Sequence, residues 1–216
     1  MPVTMHKPIR SLKPARPALG RAGLLLTAAL LASCGGGAGN PLGNPANVIN
    51  PPGTSGSKLS FAYFQKCVNP ILKAQLQINV NGVVSTNSCA GSGCHENVNG
   101  TGGALRVVPA AANVDLTNPA NTADVIRTTD MYKNFYSAQG AVVIGSPAQS
   151  RLLTKPQVLG VLHGGGLIFG SPQDPNVKLI EYWISRPAPQ GQDEFGSAAL
   201  TMFTPADLTT GVCNTQ

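Results

Sequence analysis

Cys89-Ala90-Gly91-Ser92-Gly93-Cys94-His95 is the stretch on which the reading of this chain turns. It gathers two of the five Cys and one of the three His into seven residues. Two thiols separated by four residues and followed at once by an imidazole can be used in three ways. They can join a disulfide framework with Cys67 and Cys213, in one of three connectivities; they can ligate zinc or another metal; or they can hold a prosthetic group that takes two thiols and a ring nitrogen together. Gly91 and Gly93 give the intervening backbone freedom to bulge while the two sulfurs stay close.

Upstream, the first 33 residues carry Lys7, Arg10, Lys13, Arg16 and Arg21 with no acidic residue, then the apolar run Leu24-Leu25-Leu26-Thr27-Ala28-Ala29-Leu30-Leu31. This is the charge and hydropathy order of a secretion signal. The run is shorter than the roughly 20 apolar residues that span a bilayer core. Leu31-Ala32-Ser33-Cys34-Gly35 resembles the lipobox of bacterial lipoproteins, and an ordinary signal peptide with a chance Cys is the competing reading. The resemblance implies a signal peptide over 1–33, lipid on Cys34 after cleavage, and several acyl chains, which anchor stably where one does not. Gly35 in place of Asp implies the outer membrane as the destination within the cell envelope.

Five of the 15 Lys and Arg lie in that leader, leaving ten against nine Asp and Glu in the rest of the chain. The remainder is nearly neutral, so nothing basic points to nucleic acid as a partner. Residues 34–57 are Gly, Asn, Pro and Ser with little to bury, which predicts a disordered, flexible, lipidated linker. The folded domain is then 58–216.

Within it, Phe61, Phe64, Val68, Ile71, Leu72 and Leu76 recur at helical spacing. Pro70 inside the run predicts two short helices, with Asn69 as the cap of the second. Residues 78–109 read as Asn-, Gly- and Ser-rich loop with one strand at 78–84. Helices are expected at 121–138, after Ser146-Pro147 through Leu153, and at 175–185, with a capped turn at Thr204-Pro205-Ala206-Asp207. The fold class that follows is mainly α, a small helical domain with long Gly-rich loops that wants covalent or cofactor help to be stable.

A c-type haem site needs two thiols for the two vinyl groups and an adjacent His for the iron, usually as C-x-x-C-H. Here the spacing is C-x4-C-H, which resembles bacterial cytochromes c in which x4 spacings occur. Gly145-Ser146-Pro147, Ser150-Arg151-Leu152-Leu153, Lys155-Pro156, His163-Gly164-Gly165-Gly166 and Tyr182-Trp183-Ile184 resemble the latter half of cytochrome c-like domains in large exported bacterial proteins. Gly102-Gly103-Ala104-Leu105-Arg106 follows the Cys-His stretch in a matching place.

These resemblances, over about residues 60–190, imply one covalent haem c on Cys89 and Cys94 with His95 as proximal iron ligand. They also imply a membrane-tethered monohaem electron carrier, more a carrier than a catalyst, that serves an envelope redox partner protein. His163 is the candidate distal ligand, with Met131 and Met202 as competitors. If haem takes Cys89 and Cys94, Cys67 and Cys213 remain as a disulfide pair. The alternative is a disulfide-braced, non-redox envelope lipoprotein. His-Gly-Gly-Gly also resembles the oxyanion loop of lipases, but the Gly-x-Ser-x-Gly that must accompany it does not occur.

Overall fold

Pro70 decides how the first helix is built. The computed structural model describes residues 56–204 and 211–216. Ser60 caps the helix by accepting from the Tyr63 N–H. Helical backbone then runs over 61–73 as one element, α1: α-helical at Phe61–Tyr63, π-helical at Phe64–Val68 and α-helical again at Asn69–Lys73. An internal proline offers no N–H and its ring presses on the carbonyl four residues back. Widening the preceding turn to π geometry accommodates both effects without a break. Asn69 has helical dihedrals, so the expected division into two helices does not occur. Its buried side chain accepts from the Asn134 amide instead.

Leu76–Val80 (β1) and Val83–Asn87 (β2) pair antiparallel, with Val80 opposite Val83. Asn81 and Gly82 turn between them at φ of 52° and 87°. Positive φ at both centre positions is the hairpin turn whose twist matches the strands. The single strand expected over 78–84 is thus the middle of a hairpin. Thr122 and Thr129 each cap a helix with the side-chain oxygen, so Ala123–Arg127 (α2) and Asp130–Gln139 (α3) replace the one helix expected there. Arg151–Thr154 (α4) follows a 3-10 turn at Pro147–Gln149. Pro175–Ser185 (α5) begins at the expected proline under an Asp174 cap. Ser197–Leu200 (α6) precedes a two-residue pairing of Phe203–Thr204 (β3) with Val212–Cys213 (β4).

The mainly α expectation is overturned: helix makes up 32% and strand 10% of the described residues, in a mixed α/β fold with small antiparallel pairings. Hydrophobic periodicity supports only short helices here. The Asn- and Gly-rich stretches satisfy their backbone through the hairpin and local side-chain turns, such as those of Asp115 and Asn118. The leader, Cys34, the linker up to residue 55, and residues 205–207 of the expected capped turn lie outside the described residues.

The core sits between α1, α3 and α5. Phe64 packs on Trp183 at 5.3 Å and on Phe135 at 5.5 Å, and Phe61 meets Phe135 edge-on. Trp183 donates its indole N–H to the Ser60 carbonyl at 3.0 Å, so the buried ring keeps its polar group paired. The Cys67–Cys213 disulfide is present, tying α1 to β4 across a sequence separation of 146.

Candidate functional site

The Cys-His loop hangs from the end of α1. Both the Ser88 hydroxyl and the Ala90 N–H donate to the Leu72 carbonyl. The loop closes on itself where the His95 N–H donates to the Cys89 carbonyl and the Cys94 N–H to the Gly91 carbonyl. Gly91 is required by close approach, since a Cβ there would lie 2.5 Å from Asn87 Oδ1. Gly93 is not, because a Cβ there would meet nothing within 4 Å. The thiols of Cys89 and Cys94 are free and half-buried. Burial, and then the neighbouring Cys94, pushes the Cys89 thiol up to about 11, so it stays protonated at neutral pH.

His95 is held at ring and backbone. Its Nδ1 lies 3.1 Å from the Leu105 carbonyl, and its own carbonyl accepts from the Val107 N–H at 2.7 Å. α3 keeps that second segment in place: Ser137 Oγ accepts from the Arg106 N–H, and the Asn134 side chain bonds both the N–H and the carbonyl of Val108. Burial lowers the His95 imidazole pKa. The Leu105 carbonyl opposes that, and the charges of His163, Arg106 and Lys155 add to it. With a proton on Nδ1 shared with Leu105, the ring's lone pair is on Nε2.

His163 reaches the same cavity from another part of the chain by the same device. Its Nδ1 lies 2.8 Å from the Gly166 carbonyl, and its carbonyl accepts from the Gly166 N–H. The turn is pinned to the hairpin by reciprocal bonds between Asn79 and Leu167. Gly166, at φ of 75°, passes so close that a Cβ would fall 2.3 Å from the Asn79 carbonyl oxygen. The glycines after His163 therefore shape a turn that presents the ring.

Four candidates from the sequence, Cys89, Cys94, His95 and His163, line one cavity of about 620 Å³, a size typical of sites for small molecules and cofactors. The two imidazoles have centres 6.3 Å apart and planes only 9° from parallel. Two rings bound through Nε2 to opposite sides of one metal, with each bond about 2.0–2.1 Å, would have centres roughly 6 to 6.5 Å apart. Among the described residues no three His, Cys, Asp or Glu side chains converge as a metal cluster.

Met131 is fully buried in the apolar core and Met202 nearly so, and neither lines the cavity. Sequence reasoning missed the Leu105 and Gly166 carbonyls, because any residue type supplies a carbonyl. It also missed Gly102, where a Cβ would lie 2.6 Å from His95 Nδ1; the Gly102-Gly103 doublet was its available signal. Arg151 and Lys155, also on the cavity wall, had no assigned role. No family model, no curated protein and no solved structure matches this chain.

Proposed function

We propose that this chain is a membrane-tethered electron carrier of the cell envelope that holds one covalent haem c between His95 and His163. The observation that carries the reading is the imidazole pair: two Nε2 atoms left free by their carbonyl partners, on near-parallel rings at the separation of a shared metal atom. Two nitrogens alone are too few for zinc, which takes four ligands. They are the number that suits an iron already held in a plane by its macrocycle. Cys67 and Cys213 pair with each other and leave Cys89 and Cys94 out of the disulfide framework, which supports a use of these two sulfurs other than as a brace.

Cys89 and Cys94 would hold the macrocycle by adding across its two vinyl groups. Each sulfur bonds one vinyl carbon and each thiol hydrogen goes to the other, so the addition needs no oxidant or reductant. His95 and His163 would take the two open positions of the iron. When bound, the haem would supply a one-electron iron couple, which His95, His163 and the burial of the ring would tune. With His95 and His163 both engaged in holding the iron, no position would be left for a substrate, which favours a carrier over a catalyst. Lipid on Cys34 would keep the domain at the membrane beside an envelope redox partner protein, with the outer membrane as the proposed location.

Expression with a cytochrome c maturation system tests the reading. The protein should gain the mass of one haem that survives acid extraction and show a thioether-type pyridine haemochrome. His95→Ala should abolish stable attachment. His163→Ala should retain the haem but lose the six-coordinate low-spin spectrum, and a parent protein without covalent haem would refute the proposal.

A further inference from the structure

Arg151 and Lys155 both face the cavity, one at the start of α4 and the other just past its end. Side chains four apart on a helix are neighbours, and like charges so placed repel unless an anion lies between or beside them. Among the described residues neither cation has an ion-pair partner. The cavity offers none either. Among the described residues its titratable walls are Cys89, Cys94, His95, Tyr136, Arg151, Lys155 and His163, with no Asp or Glu. The remaining lining is mostly apolar or glycine, and the charge of Lys155 reaches as far as His95. An enclosure with two uncompensated cations on one wall and no acid on any other is complementary to an apolar ligand that carries negative charge at one edge.

We propose that Arg151 and Lys155 form a carboxylate-binding subsite, which takes the two ionised carboxylates on the edge of the porphyrin. The assignment rests on the haem reading above. Arg151 offers a fork of donors that can grip a carboxylate with two parallel bonds, whereas Lys155 supplies a compact charge on a flexible stem. The subsite orients the ring within the cavity, because the thiols fix one edge and the two cations fix another. It also keeps both carboxylates ionised in a partly apolar enclosure, where without cations their pKa would rise.

The holoprotein provides the test. Midpoint potentials are measured against pH for the parent, Arg151→Gln, Lys155→Gln and the double variant. Arg151 is exposed and Lys155 half-buried, so each single variant should keep its haem and its low-spin spectrum. With the cations removed, a carboxylate titrates within the measured range, and its ionisation favours ferric iron. The variants should therefore show a potential that falls as pH rises, in a proton-linked wave that is absent from the parent. Variant profiles that are merely parallel to the parent, offset or not, would overturn the subsite while leaving the haem reading intact. A parent without covalent haem would overturn the haem reading, and the subsite with it.

Discussion

Gly102 tests how tightly His95 is placed. A Cβ added there would lie 2.6 Å from Nδ1, 2.7 Å from Cε1 and 2.7 Å from the Cys94 carbonyl oxygen, so the ring or the loop must shift. Gly102→Ala should cost about 1–3 kcal/mol as an overpacked site. It should also break the Leu105 contact and reduce stable haem incorporation. Gly93→Ala is the control in the same loop: its Cβ would meet nothing within 4 Å, and a less flexible unfolded chain should leave stability unchanged or raise it by up to about 1 kcal/mol. Urea midpoints and haem content of both variants check this, and equal behaviour would show that the ring is not sterically confined. At this scale the candidates were legible from side-chain chemistry: Cys89, Cys94, His95 and His163 stand out by type and spacing, and the fold gathers them on one cavity. The groups that aim them were not. A carbonyl such as that of Leu105 or Gly166 leaves no mark in sequence, and Gly91 and Gly93 look alike there although only one is pressed against its neighbours.

Between elements, the join of α2 and α3 to the 193–196 segment depends on one buried carboxylate. Glu194 is fully buried, accepts from the Tyr132 hydroxyl at 2.6 Å and lies 3.1 Å from Arg127 Nε. Burial pushes its carboxyl up, but Tyr132, the backbone and the Arg127 guanidinium together outweigh that and hold it below the usual carboxylate range. A depressed carboxyl pKa contributes stability that is fully present above the unfolded value of about 4.3 and is lost as pH falls through the folded one. The domain should therefore lose stability on the acid side, starting below about pH 5. Glu194→Gln should flatten that slope and cost about 3 kcal/mol at neutral pH by leaving Arg127 short of its buried partner. Urea unfolding from pH 7 downwards measures both, and an unchanged acid slope in the variant would assign the effect to other carboxylates. Such joins were illegible in sequence, since Glu194 and Arg127 are 67 residues apart. What was legible at this scale had a local signal. Asp174-Pro175 marks the start of α5, whereas the Asn81-Gly82 turn of the hairpin lies inside a stretch that reads as one strand, and the Thr128-Thr129 break is masked by apolar residues that continue across it.

Over the whole molecule, the described elements are short and much of the chain is turn and loop, so the two ends of the domain need a link that packing alone supplies poorly. Cys67, in the π-helical part of α1, and Cys213, in β4, provide it, closing nearly the entire domain into one loop. In the loop-entropy account, a closure of 146 residues restricts the unfolded chain by about 5 kcal/mol. That is comparable to the whole stability of many domains, about 5–15 kcal/mol. Cys67→Ser/Cys213→Ser should therefore lower the unfolding free energy by about 3–5 kcal/mol, with the shift in urea midpoint as the measurement. The double substitution avoids a stray thiol that could pair with Cys89 or Cys94. A loss below about 1 kcal/mol would mean that the unfolded chain already holds α1 near β4, and that the bond records the fold without stabilising it.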